Sequence, residues 1–350
     1  MSGNKRRVFI KWWAWLGALA LFAGLNVAVV ILEPWFMRVC AEESFATPAK
    51  VAVYAYSQKP DVVFMGASVV MQGFDPRIVR EELADQSGRE LKVLNLGVSH
   101  GFLDINYLVM KNVITKEKAP RVVVYGVFPA DFFSKRIEEE YRHAYFASFL
   151  RPNDFHLFAR ANGGTRLGFV AQCVLPLYRD RQLIRDFIDI ELLHDRPFAA
   201  EPNARAATEE AVLSDGFRPL PAVPGARHFQ MRAEGVPFIP EPWSVSRLCD
   251  IISMAQKKGS QFVLVAMPIT PALRSDFSLE GQAAFIVWVK RIADRYGIPW
   301  IDLYTDSEKT FPDEDFYDNT HLNRIGAERL TRIVSRKMLT GYFSPKFSPK

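Results

Sequence analysis

Cysteine is nearly absent. Cys40, Cys173 and Cys249 are the only three in 350 residues. They are odd in number, far apart and without paired spacing, which excludes a zinc-ribbon pattern and a disulfide framework and leaves at most one bridge, in an oxidising compartment. A real excess of charge is missing too. The formal net charge is +5, but Lys5, Arg6, Arg7 and Lys11 precede Trp12 without an acid among them, and taking those four from 44 bases leaves 40 against 39 acids. A body so close to neutral has no electrostatic footprint for nucleic acid. Internal repeats and low-complexity tracts are also lacking, so the chain does not read as a repeat array.

One long apolar run stands out against these absences. Trp12 to Leu32 carries no charge and has Asn26 as its one polar residue, and about 20 such residues suffice to cross a bilayer core as a helix. The bases in front of it, set against Glu33, Glu42 and Glu43 behind it with only Arg38 nearby, orient the N-terminus to the cytoplasm and everything after residue 33 outside it. Trp12, Trp13 and Trp15 fit the cytoplasmic interface. The competing reading is a cleaved signal peptide, since Val39-Cys40-Ala41 has the small residues of a cleavage site. The run is longer than the usual apolar region of such a peptide, however, and Pro34 and Arg38 intervene, which favours an uncleaved anchor. Cys40 lacks a lipobox, because Arg38 and Val39 sit where small residues are required.

The remaining 310 or so residues suit one α/β domain with an insertion. Apolar, β-branched runs at 61–65, 91–96, 121–127, 261–267 and 299–303 alternate with helix-like segments, the pattern of a five-stranded parallel sheet wrapped by helices. Asp75-Pro76 is a capped helix start with its stop at Gly88, and further helices are expected over 104–116, 245–258 and 279–296 and after Asn323. Residues 132–242 break the rhythm, with seven prolines from Pro202 to Pro242 and interspersed glycines, which forbids long regular elements and predicts an inserted cap over the carboxyl edge of the sheet. The expected layout is a cytoplasmic tail at 1–11, an anchor at 12–32, a linker at 33–59, the domain at 60–340 with its insertion at 132–242, and a tail at 341–350.

Ser68 follows the first strand, and Asp318 and His321 precede the last helix. A serine hydroxyl is a poor nucleophile at neutral pH and needs a histidine base, itself held in the productive tautomer by a carboxylate. Taken singly, each has an ordinary structural reading: Ser68 in a strand-to-helix turn, His321 in the core or at a cap, and Asp318 in a turn. Asp131 reads more simply as a helix cap than as a reactive acid. His100, His143, His156, His194 and His228 have no comparable partners, and Trp243, Trp288 and Trp300 read as core.

Met65-Gly66-Ala67-Ser68, Asn95-Leu96-Gly97-Val98-Ser99-His100-Gly101 and Phe316-Tyr317-Asp318-Asn319-Thr320-His321-Leu322-Asn323 resemble the first, second and last blocks of the SGNH (GDSL-like) hydrolase superfamily. That resemblance implies a flavodoxin-like three-layer fold and a Ser68–His321–Asp318 triad. It also implies an oxyanion site built from the N–H of Ser68 and that of Gly97 or Gly101. The third block departs from the family, because Gly126-Val127-Phe128-Pro129-Ala130-Asp131 lacks its asparagine. Ala67 likewise stands where the first block has an aspartate. With the anchor and the run from Gly66 to Pro76, these departures make the chain look most like the membrane-anchored members that act in cell-envelope polymer O-acylation, such as the teichoic-acid D-alanylation and alginate O-acetylation proteins. The implied function is an extracytoplasmic serine O-acyltransferase or acylesterase on an envelope glycan or related polymer, beside a membrane-bound O-acyltransferase, with no metal or organic cofactor. The alternatives are a non-catalytic glycan-binding or docking scaffold on the same fold, and a simple esterase or lipase.

Overall fold

The structure is a computed structural model. It describes residues 3–43, 59–98, 103–132, 237–305 and 307–343, with shorter stretches at 149–151, 153–154, 157, 170–171, 174–188, 192, 216–217, 220 and 235. Helix α1, Gly3–Glu43, contains the apolar run. Within it Trp12–Glu33 has a mean hydropathy of 2.3 and is long and apolar enough to cross a membrane. The expected linker at 33–59 is therefore helical over its first eleven residues. Trp35 and Phe36 extend the helix onto a partner, their rings lying 4.7 Å and 4.9 Å from that of Phe187.

The body is α/β. Strand β1 is Val62–Met65, followed by the short helix α2, Ser68–Met71, and by α3, Pro76–Ser87. Asp75 caps α3 by accepting the Arg77 N–H, and Gly88 closes it in the left-handed region at φ 62°, a geometry that favours glycine. Then come β2, Val93–Asn95, and α4, Leu103–Leu108. The helix expected over 104–116 loosens after Leu108 into a π turn, Val109–Val113, where the Lys258 ammonium caps the Met110 and Ile114 carbonyls. Strand β3 is Val122–Val127.

Within the insertion the described helices are α5, Pro176–Arg179, and α6, Arg181–Phe187. The fold resumes with α7, Pro242–Lys257, then β4, Gln261–Ala266, α8, Leu279–Tyr296, β5, Trp300–Asp302, and α9, Arg324–Val334. The core continues to Phe343, inside the stretch expected as a tail.

All five strands are parallel, in the order β2-β1-β3-β4-β5. This is the doubly wound order of flavodoxin-like folds, with its switch point between β1 and β3. Helix α3 packs on α9, and α4 packs on α7. Right-handed crossovers place the two pairs on opposite faces of the sheet. β1 and β3 are buried along their whole length, as expected of central parallel strands covered on both sides. The described parts of the insertion attach in several places. Phe149, Leu150 and Leu157 join the core, Leu220 O accepts the Arg324 N–H, and α5 and α6 lie along α1.

Candidate active site

β1 runs straight into α2 through Gly66 and Ala67. Gly66 has φ 146°, and a Cβ there would stand 2.5 Å from Val70 Cγ2 and 2.8 Å from Gly126 O, so only glycine permits this elbow. Two further strand-end glycines receive the same short helix. A Cβ on Gly126 would meet Val70 Cγ2 at 2.5 Å, and one on Gly97 would meet Met71 N at 2.3 Å. The ends of β1, β2 and β3 thus form a floor onto which α2 settles, with Val70 fully buried in it.

Asn95 locks α2 from below. Its Nδ2 donates to Val70 O and Phe74 O at 2.8 Å each, and its Oδ1 accepts the Gly97 N–H at 2.9 Å. Fully buried amides of this kind keep their partners because an unmade bond is expensive. The outcome is a fixed height and direction for Ser68, the first and half-buried residue of α2.

The other half of the site comes from the far end of the chain. Between β5 and α9 the backbone forms a tight loop: Tyr317 N donates to His321 O at 2.8 Å, and Phe316 bridges to Leu322 in antiparallel fashion. Asn323 anchors its exit, accepting the Ile325 and Gly326 N–H groups as the cap of α9 and donating to Glu314 O. Gly326 lets α9 approach the loop, since a Cβ there would lie 2.3 Å from Asp315 O. Asn319 O takes bonds from both the N–H and the hydroxyl of Thr270, which ties the loop to the segment after β4.

Inside this loop Asp318 is buried. Its Oδ1 accepts the Thr320 N–H and the His321 N–H, both at 2.8 Å, and the Thr320 hydroxyl at 3.0 Å. Its Oδ2 lies 2.7 Å from His321 Nδ1, and His321 Nε2 lies 2.8 Å from Ser68 Oγ. Residues 253 positions apart therefore form one continuous relay. An ionised Asp318 only accepts, so Nδ1 carries a proton and Nε2 of the neutral ring is the acceptor for the serine hydroxyl. Burial alone would raise the Asp318 pKa. The His321 hydrogen bond and charge and the two backbone N–H groups outweigh it and hold the carboxyl below its ordinary value.

The structure brings Ser68, Asp318 and His321 together. The oxyanion candidates divide. The Gly97 N–H is taken by Asn95 Oδ1, so Gly97 serves here as packing for α2. Gly101 lies outside the described residues, as do His100, His143, His156, His194 and His228. At the end of β3 the Phe128 N–H donates to Asp131 Oδ2 at 3.0 Å, so Asp131 caps the turn Pro129–Phe132. Two residues of the site went unassigned in the sequence. Asn95 ends an apolar strand two residues before a glycine, and Thr320 lies between the acid and the base. Neither position carries a local signal for its role. Among the described residues no group of His, Cys, Asp and Glu has the arrangement of a metal site.

No protein-family model matches the chain, and no curated protein matches it. Among solved structures it is similar to the lipase/acylhydrolase from Enterococcus faecalis, at 13% sequence identity and a TM-score of 0.38, over 82% of this chain and 98% of that one. At that identity and score the likeness bears on neither activity nor site.

Proposed function

We propose that the chain is an extracytoplasmic serine O-acyltransferase or acylesterase that acts on a cell-envelope polysaccharide or related polymer beside a membrane-bound O-acyltransferase. The observation that carries the reading is the hydrogen-bonded run from Ser68 Oγ through the His321 ring to Asp318. In the acylation step Ser68 Oγ bonds to the acyl carbonyl carbon while its proton passes to His321 Nε2. The tetrahedral oxyanion then collapses, the ester C–O bond breaks, and the imidazolium returns the proton to the departing alcohol. A sugar hydroxyl or water next attacks the acyl-serine carbonyl carbon, giving its proton to Nε2, the bond from that carbon to Ser68 Oγ breaks, and the imidazolium returns the proton to Oγ. Asp318 stays ionised throughout and steadies the imidazolium. The Ser68 N–H lies ahead of the first hydrogen bonds of α2, in which Val70 and Met71 donate to Ala67 O. Together with Gly101 it is our candidate for holding the oxyanion.

Transfer, rather than hydrolysis, is favoured by what the third block lacks. Phe128 and Pro129 stand where an asparagine donor is expected, and losing one oxyanion donor costs about 100- to 1000-fold in turnover. An enzyme that binds its acceptor well can tolerate that loss, whereas one that relies on water cannot. The same departure is the best support for the second reading, a scaffold on this fold that binds glycan or docks the acyltransferase without turnover.

The test is covalent labelling of the full chain in native membranes with a fluorophosphonate, followed by turnover of an acetyl ester with and without envelope glycan. Labelling lost in Ser68→Ala, with acetyl diverted onto glycan, is the expected result. Absence of labelling leaves the scaffold, and brisk hydrolysis indifferent to glycan leaves a plain esterase. The topology is checked separately by fusing a reporter to the C-terminus. Activity from a reporter that works only in the cytoplasm would refute the extracytoplasmic placement.

A further inference from the structure

The insertion meets the apolar helix at membrane depth. Along α1 the residues in contact are spaced three and four apart, Asn26, Val29, Glu33 and Phe36, and so form one stripe. Val29 and Phe36 are buried there, whereas the rest of the span is almost wholly exposed. Asn26, the one polar side chain of the run, donates to Phe22 O at 2.9 Å and accepts the Leu177 N–H at 3.0 Å. Leu177 is the second residue of α5, and Asn26 lies seven residues before Glu33, so at 1.5 Å per residue α5 begins about 10 Å into the span.

A helix start at that depth must satisfy its N–H groups without water, since each one left unpaired in hydrocarbon costs several kcal/mol. Here it does. Pro176 has no N–H, Leu177 gives its own to Asn26, Tyr178 and Arg179 donate to Leu175 O, and Leu175 donates to Ala171 O.

The charges of α5 and the turn after it are paired, while Arg185 on α6 is exposed. Arg179 is 10% exposed and bonds Glu33 Oε2 at 2.8 Å and Asp180 Oδ2 at 2.7 Å, with Asp180 fully buried, so these charges face inward and pair. Val174 is 56% exposed and Leu192 67%, and Tyr178 and Ile188 are exposed as well. The helices that carry or adjoin these side chains, α5 and α6, pack along α1. Arg181 lies over the Tyr178 ring at 4.3 Å, the placement of a cation that spans from acyl chains to phosphates.

We propose that the segment from Val174 through α6, with Leu192 beyond it, is a second membrane-contacting element, docked on α1 in the leaflet on its Glu33 side, with Val174, Tyr178, Ile188 and Leu192 turned to lipid. The body is then held to the bilayer at two places and cannot swivel freely about a single helix. The inference rests on α1 spanning the membrane and is independent of the serine chemistry.

Spin labels on the full chain test it. In a background with Cys40, Cys173 and Cys249 changed to serine, one cysteine is placed at Val174, Leu192, Leu16 or Ile325. Each protein is reconstituted in phosphatidylethanolamine–phosphatidylglycerol vesicles and read by collision with oxygen and with a water-soluble nickel chelate. Leu16 lies within the span and Ile325 is exposed on the body, so they set the lipid and water limits. Labels at 174 and 192 should match Leu16, with oxygen accessibility at least several-fold higher relative to nickel than at Ile325. Either of them behaving like Ile325 overturns the proposal, and so does a Leu16 label in water. Because no turnover is measured, a failure of the serine reading leaves this result untouched.

Discussion

Gly97→Ala separates a packing role for this glycine from a role as a passive turn. The added Cβ would stand 2.3 Å from Met71 N and 2.7 Å from Met71 Cα, against an ordinary carbon contact of about 3.5 Å. Relief requires roughly 1 Å of movement. The obstacle is backbone, so no side chain can rotate away. Met71 ends the four-residue α2 that Ser68 begins, and a single helical turn moves as a piece. Withdrawing the strand end instead would pull Asn95 from Val70 O and Phe74 O. Overpacking of this kind costs about 1–3 kcal/mol, and misplacing a reacting group by about 1 Å costs on the order of 100-fold in rate. The expected outcome is a modest fall in thermal midpoint with a fluorophosphonate labelling rate lower by about two orders of magnitude. Gly88→Ala is the matched control. Gly88 has φ 62° and open space where a Cβ would go, so the alanine there should cost about 1 kcal/mol of backbone strain and leave labelling unchanged. A Gly97→Ala protein with the parent's midpoint and a labelling rate within twofold of it would refute the packing account of α2.

Ser68→Ala and His321→Ala should each abolish fluorophosphonate labelling and ester turnover, and the double variant should lose no more turnover than either, because members of such a relay act as a unit; additive losses in kcat would count against it. Asp318 titrates at a lower pH in the folded chain than its ordinary 3.8. The fold therefore gains from its ionisation above that value and loses the gain as pH falls through the lower, folded one. The stability gap between the parent and Asp318→Asn, measured by urea melts, should be present at about pH 5 and shrink as pH falls below about 4, whereas a gap that persists undiminished at the acid end would contradict the geometry. Tyr304 is buried, and its hydroxyl has no hydrogen-bond partner among the described residues. Removing an unpaired buried polar atom is neutral or favourable, so Tyr304→Phe should leave the thermal midpoint equal or higher, and a drop of several degrees would reveal a bond at that oxygen.

The sequence is most legible where a boundary is written locally. Asp75-Pro76 and Gly88 mark both ends of α3, and Ser278 and Gly297 mark both ends of α8. The strands are read one to three residues too long, because apolar runs continue past the hydrogen-bonded ladder; Leu91 and Leu96 are as buried as β2 between them. The π turn after Leu108 was not legible at all. It is held by Lys258 from 144 to 148 residues away, and no local pattern reports that contact. The same holds within the site. Ser68, Asp318 and His321 stand out because their residue types and order suit one chemistry, but Asn95 is defined by what lies above it in space, and Gly97 looks like an oxyanion donor until its N–H is seen on Asn95. Pro34 does not end α1, which continues to Glu43, and Trp35 and Phe36 just beyond it touch Phe187.

The 253 residues between the serine and its base also set a clock on synthesis. At roughly 5–20 residues per second, the ribosome makes His321 on the order of 10 to 50 seconds after Ser68. Throughout that interval the strand, the elbow and the hydroxyl can all be in place without a base, and the serine is chemically ordinary. On the proposed function the chain is therefore inert while its first helix is made, and reactivity begins only when the C-terminal loop docks. On the same reading, a ribosome that stalls between residues 68 and 318 leaves a product with the serine but with neither its base nor its acid, so the order of the chain itself guards against stray acyl chemistry by unfinished copies.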